Sequence, residues 1–161
     1  MNRKGTAGAN FTPQRKHSMA KFFGSTLEYS DERIRALMME YERYISKCDY
    51  IRMPDVFAHI VNRPCRRFWV SNKRAAVVIA NMLRGDKLES MHPTKREMFQ
   101  EIFNRVKILR QKHPQKSLSA LVSMVVCQPA PKFYLSPRSA KIMFYKAKKK
   151  WYQTKMQRLL R

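Results

Sequence analysis

Apolar residues recur at helical spacing through two long stretches of this chain, and the two stretches match at a fixed offset. In the first, Ile34, Leu37, Met38, Tyr41, Tyr44 and Ile45 share one face of a helix expected to begin after Ser30. In the second, Phe99, Ile102, Phe103, Val106 and Leu109 share a face of a helix expected from Thr94, with Pro93 before it. Each of these five stands 65 positions after one of the first five. Asp31 and Glu32 suit the positive N-terminal end of the first helix. Thr94 and Glu97 have the spacing of a capping box at the start of the second.

A shorter helix follows in each stretch. Val56, Phe57, Ile60 and Val61 place one over about 54–62, and Leu121, Val122, Val125 and Val126 place its counterpart over about 118–127. Pro64 and Pro129 stop them, because proline neither donates to the helix ladder nor lets the preceding residue stay helical. The pattern Pro-x-x-basic-Phe-aromatic-aliphatic-Ser-x-basic-x-Ala then appears twice, at 64–75 and at 129–140. Phe68 and Phe133 are expected as core plugs. Trp69 and Tyr134, pointing the opposite way along an extended segment, are expected at the surface. Ser71 and Ser136 are well-typed caps for third helices over about 72–83 and 137–160, the second strengthened by Pro137 at its first position.

The expected fold is therefore all-α, two tandem three-helix units related by an internal 65-residue repeat. Short extended segments at 68–70 and 133–135 would pair across the units. The outline of each unit resembles a helix-turn-helix, although a connection of nine residues, 63–71, exceeds its usual short turn. Residues 1–26 read as a flexible basic arm, 27–92 as the first unit, 93–149 as the second, and 150–161 as a basic helical extension.

Charge gives this architecture a direction. The 161 residues carry 34 Lys and Arg against 11 Asp and Glu, a net charge of +23. Residues 27–92 hold twelve basic and nine acidic side chains, whereas 93–161 hold seventeen and two. Such a field points to a polyanionic partner. No apolar leader stands at the start, the longest apolar runs (75–80 and 121–127) are too short to span a bilayer, and three unpatterned cysteines fit a reducing compartment. A cytoplasmic location follows as the expectation, with the nucleoid or a nucleoprotein particle as the immediate setting.

Candidate binding residues cluster where the units would present their third helices. Asn72, Lys73 and Arg74 open one such helix, and Arg138, Ser139 and Lys141 open the other. These residue types contact base edges and phosphates. Arg66, Arg67 and Lys132 lie just upstream as phosphate contacts, beside Trp69 and Tyr134 as stacking surfaces. The tail adds Lys146, Lys148, Lys149, Lys150 and Lys155, interleaved with Trp151 and Tyr152. Those two aromatics are expected to cover the other unit, with base stacking as the rival role.

Other chemistries have little support. Only Glu97 and Glu101 are acidic after residue 92, which leaves few ligands for a two-metal site. The four histidines stand apart, no Cys-x-x-Cys suggests zinc, and there is no glycine-rich phosphate loop. Cys65 beside Arg66 and Arg67 invites a lowered pKa, but no base is near it in sequence. No metal, cofactor or small-molecule substrate is expected, and a membrane partner is disfavoured. The expected function is non-catalytic nucleic-acid binding, DNA favoured over RNA. The two units would act as a covalent dimer on adjacent half-sites, in a regulatory, architectural or mobile-element accessory role. The alternative is a structural or assembly protein of a phage virion or a ribosome-associated particle. The nearly neutral first unit would then serve protein contacts or self-association.

Overall fold

Three serines decide where half of the helices begin. Ser71, Ser117 and Ser136 each hold an extended backbone and accept a hydrogen bond at Oγ from the amide three residues on, Arg74, Ala120 and Ser139, at 3.1–3.2 Å. The computed structural model describes residues 29–160; the expected basic arm over 1–26 lies outside them. Within that span the chain forms six helices: α1 (Ser30–Ile45), α2 (Met53–Ile60), α3 (Asn72–Leu83), α4 (Pro93–Lys112), α5 (Leu118–Val126) and α6 (Pro137–Leu159). No strand occurs among the described residues, so the fold is all-α.

Two helix starts differ from expectation. Helix α1 begins at Ser30 itself, with Tyr29 at the cap position and no side-chain cap. Helix α4 does not use the Thr94–Glu97 capping box. The fixed backbone angle of Pro93 makes it the first helical residue, which moves the cap back to His92, whose Nδ1 accepts from the Thr94 amide at 3.3 Å. Glu97 is thereby released for a different partner, Lys132, at 2.5 Å.

Helix packing ignores the order of the chain. Helix α3 packs on α5 and α4, while α6 packs on α2 and α1. The two three-helix groups are therefore α1–α2–α6 and α3–α4–α5, and each takes its third helix from the other half of the sequence. The short helix and third helix of one expected unit do not pack substantially on each other. A helix-turn-helix made within residues 27–92, or within 93–149, is accordingly not formed; the nine-residue connection carries the third helix across instead.

The crossing point is held by backbone. Cys65 and Ala130 form an antiparallel bridge, with Cys65 N–H donating to Ala130 O at 3.0 Å and Ala130 N–H to Cys65 O at 2.9 Å. Phe68 N–H donates to Val126 O at 3.1 Å, and Phe133 N–H donates to Val61 O at 3.0 Å. Replacing every residue in this set by the one 65 positions away returns the same set. The segments 68–70 and 133–135 do not pair with each other as expected. The extended contact sits earlier, at 65 and 130, because Val70 N–H turns back to Phe68 O at 3.0 Å.

Burial follows the apolar stripes. Leu37 and Ile102, Val56 and Leu121, Ile60 and Val125, Phe68 and Phe133, Ala75 and Ala140 are all buried, and each pair is 65 residues apart. Phe68 and Phe133 are core plugs, as expected. Tyr41 of α1, Phe57 of α2 and Phe144 of α6 form an aromatic cluster, with the Tyr41 and Phe144 centroids 4.3 Å apart and those of Phe57 and Phe144 5.6 Å apart. That cluster fastens α6 to the first half.

Exchanged packing has a direct test. A fragment of residues 27–92 should lack cooperative unfolding, because α1 and α2 lose α6 and their apolar faces meet water. Mixing it with a fragment of residues 93–161 should restore helicity and a urea transition, read by circular dichroism. Cooperative folding of the first fragment alone would contradict the crossing. In the intact chain, Phe68→Ala and Phe133→Ala should each cost about 3–5 kcal/mol in the same measurement.

Candidate nucleic-acid interface

Helix α6 is longer than the core beneath it. Its last buried residue is Phe144, and residues 151–160 are exposed throughout. At 1.5 Å per residue, the stretch from Tyr145 to Leu159 spans roughly 20 Å. Ser136 capping and Pro137 start the helix, and the aromatic cluster at Phe144 anchors it where its basic half begins. Lys146, Lys149, Lys150 and Lys155 are exposed along it, and Lys148 is half-buried.

This basic half runs beside α1 and leaves a groove of about 550 Å³ between the two helices. Ile34, Met38, Ala147 and Trp151 supply apolar lining, and Arg35, Lys146, Lys150, Lys155 and Arg158 supply cations; Asp31 is the one carboxylate among the lining residues. Trp151 and Tyr152 do not cover the other half of the molecule as expected. They remain 55% and 51% exposed, in edge-to-face contact at 5.1 Å. The Lys155 ammonium stands 5.2 Å over Trp151, and that of Lys148 lies 6.0 Å from the Tyr152 ring. Arg35 and Arg158 were not singled out from sequence. Arg158 lies in the basic tail, but nothing local marks Arg35, because its value depends on α6 crossing to α1.

The connector residues behave differently. Arg66 pairs with Glu32 at 3.0 Å and Lys132 with Glu97 at 2.5 Å, while the Arg67 guanidinium lies 3.8 Å from the centre of the Tyr29 ring. These side chains expected on phosphates thus already have intramolecular partners. Trp69 and Tyr134 correct the expectation of surface stacking platforms: they are only 6% and 9% exposed. The reason is the crossing, which covers both faces of the connector, where a single unit would have covered one.

Asn72, Lys73, Arg74, Arg138, Ser139 and Lys141 are exposed at the starts of α3 and α6. Arg74 and Ser139 line one cavity of about 280 Å³ where the two halves meet. The two starts are therefore neighbours, far closer than the about 34 Å that separates successive major-groove half-sites. Adjacent half-sites read by these two helix starts do not fit this geometry.

Cys65 is buried, and burial pushes its thiol up to about 11 from 9.0, against smaller opposing contributions from the Trp69 indole and the Arg67 backbone. A lowered pKa, invited by the flanking arginines, is not what the fold provides. Burial likewise pushes the Tyr134 phenol up to about 12 from 10.0, with the Glu101 and Glu97 charges adding to it. Among the described residues no group of three His, Cys, Asp or Glu is placed to hold a metal ion, and no helix is long and apolar enough to cross a membrane. No protein-family model matches the chain, and neither the curated proteins nor the solved structures provide a match.

The raised pKa values have a consequence at alkaline pH. The unfolded chain releases these two protons near pH 9 and 10, while the folded protein holds them to about 11 and 12. Their effect is absent below pH 9; above it the unfolded state ionises first and stability falls as pH rises through the folded values. Urea midpoints should begin to drop near pH 9, and Cys65→Ala should remove the part of the drop lying between 9 and 11. An identical pH profile in the variant would contradict the burial assignment.

Proposed function

We propose that this protein binds nucleic acid without catalysis, and that duplex DNA is its preferred partner. The observation that carries the reading is the basic half of α6. It is a solvent-exposed helix, anchored at Phe144, whose groove against α1 gathers five cations and one carboxylate. A row of ammonium and guanidinium groups on a helix matches the regular negative charge of a phosphate backbone, and counterion release supplies the affinity. Contacts of this type position a duplex but carry no sequence information directly. Arg138 and Lys141 are exposed near the start of the same helix but project from a different face and do not line the groove.

The two-half-site mode set out from sequence gives way in this proposal to one basic helix face beside α1. The internal 65-residue relation remains part of it: we read the fold as two copies of one three-helix unit that exchange third helices. In this reading the copies have diverged in charge, the second with its tail holding the polymer. A second reading, assembly within a nucleoprotein particle, draws on the apolar residues at the end of α6, where Met156, Leu159 and Leu160 are 56–83% exposed. Those side chains suit a protein contact, and the lysines beside them suit packaged nucleic acid.

The test uses the full chain and a random-sequence duplex. Binding should weaken steeply with added salt. Replacing Lys146, Lys150 and Lys155 together by Gln, which keeps helix propensity, should lower affinity at least about tenfold near 100 mM salt and flatten the log K against log salt slope by about 2–3. Neutralising Lys47, Lys87 and Lys112, which lie off this helix, should change both much less. Equal effects from the two triples, or a flat salt dependence, would overturn the assignment of α6.

A further inference from the structure

The cavity of about 280 Å³ between the two halves has an unusual lining. It includes Arg33, Arg74 and Lys95 with no carboxylate, set among aromatic and aliphatic side chains such as Phe99 and Met143. Four pairs of its lining positions are 65 residues apart: Arg33 and Met98, Trp69 and Tyr134, Val70 and Leu135, Arg74 and Ser139. The cavity thus lies where equivalent parts of the two halves face each other.

Three helix starts converge on it. Arg74, Lys95 and Ser139 are the third residues of α3, α4 and α6 respectively. None of these helices has an acidic residue in its first turn, whereas α1 has Asp31 and Glu32. Cations at the positive end of a helix are placed against the dipole, so no first-turn carboxylate offsets the field at these three starts; acidic charge reaches the wall from Glu101 and Glu97, felt at Tyr134.

Arg33 makes the imbalance acute. Its Nε is buried and has no hydrogen-bond partner among the described residues. The residue as a whole is half-buried, and partial desolvation lowers its pKa. Arg96 offers a contrast: its Nε is also buried and unpartnered, but its Nη2 donates to the Glu89 and Met91 carbonyl oxygens at 3.0 and 3.2 Å. No comparable anchor holds Arg33. Tyr134, on the cavity wall, has a left-handed backbone with φ of 52°. An aromatic residue adopts that conformation at a cost, and such strain tends to gather at ligand sites.

We infer that this cavity binds a phosphate group, inorganic or carried by a single nucleotide. Phosphate supplies the missing negative charge and acceptor oxygens for Arg33, Arg74 and Lys95. The volume lies at the small end of the roughly 300–1,000 Å³ typical of ligand pockets, which limits the ligand to a phosphate with little more than one nucleoside attached. The ring of that nucleoside would meet the apolar wall. This site is separate from the basic face of α6 and does not depend on duplex binding.

The experiment is thermal unfolding of the full chain with inorganic phosphate or deoxyadenosine monophosphate, each against sodium chloride at equal ionic strength. A ligand that binds only the folded state raises Tm in a saturable way. Both compounds should do so, and deoxyadenosine without phosphate should not. Saturation by the mononucleotide at much lower concentration identifies a nucleotide as the source; equal saturation identifies the free anion. Arg33→Met, which installs the residue found 65 positions on, should raise Tm in chloride by removing a half-buried guanidinium whose Nε has no partner, and should abolish the phosphate increment. Arg74→Gln should reduce the increment while leaving Tm in chloride nearly unchanged. The Lys146, Lys150 and Lys155 triple variant should retain the full increment even where duplex binding is lost, which separates this inference from the duplex reading. No rise beyond chloride in the native chain, or an undiminished rise in both arginine variants, would overturn it.

Discussion

Four backbone hydrogen bonds at the crossing of residues 61–68 and 126–133 govern this molecule. They join Cys65 to Ala130 in both directions, Phe68 to Val126, and Phe133 to Val61. Pro64 and Pro129 make them necessary. Each proline ends a short helix and sends the chain into an extended connector, and an extended backbone in a buried place must find partners. The partner available to each connector is the other connector. Once they are joined, each third helix lies on the far side of the crossing and covers helices it did not follow in sequence.

The consequences reach the surface. Because α6 is sent to α1 and α2, its basic second half runs along α1 and encloses the groove with Arg35 and Trp151. Because α3 is sent to α4 and α5, the starts of α3 and α6 come to face each other across the central cavity. Both candidate sites are products of the exchange and have no counterpart in an arrangement of two separate three-helix bundles. Exchange also explains why charge can be so uneven without two independently charged lobes. The basic helix of the second half is attached to the more neutral helices of the first.

The alphabet of the fold was readable locally. Six helices, their order and the caps at Ser71 and Ser136 follow from apolar period, proline position and cap chemistry, with no boundary displaced by more than two residues; the third serine cap, Ser117, emerged only in the structure. The His92 cap escaped because Pro93 fixes the first helical residue more strongly than Thr94 can compete for the cap. Of the candidate binding residues, the lysines of α6 other than the half-buried Lys148 and the polar starts of α3 and α6 are exposed as their type predicts. Trp69 and Tyr134 are not, since alternation along an extended segment tells which way a side chain points but not what will later cover it. The partners of Arg66 and Lys132 were equally illegible, because Glu32 and Glu97 approach only when the connectors fold back over the starts of α1 and α4.

The amino-acid order was sufficient to specify an all-α chain with a buried Phe68 and Phe133 and a basic final helix. Hydrogen-bonded turns, caps and amphipathic faces depend on neighbours a few residues away, and those neighbours are written next to one another. Which third helix covers which pair was a matter for three-dimensional assembly. The two halves present apolar faces of nearly the same pattern, so Phe144 and Ile79, 65 positions apart, are interchangeable as far as local chemistry can tell. The choice between them falls to connector length, the crossing hydrogen bonds and the fit of whole helices, and with that choice come the groove, the cavity and the burial of Trp69.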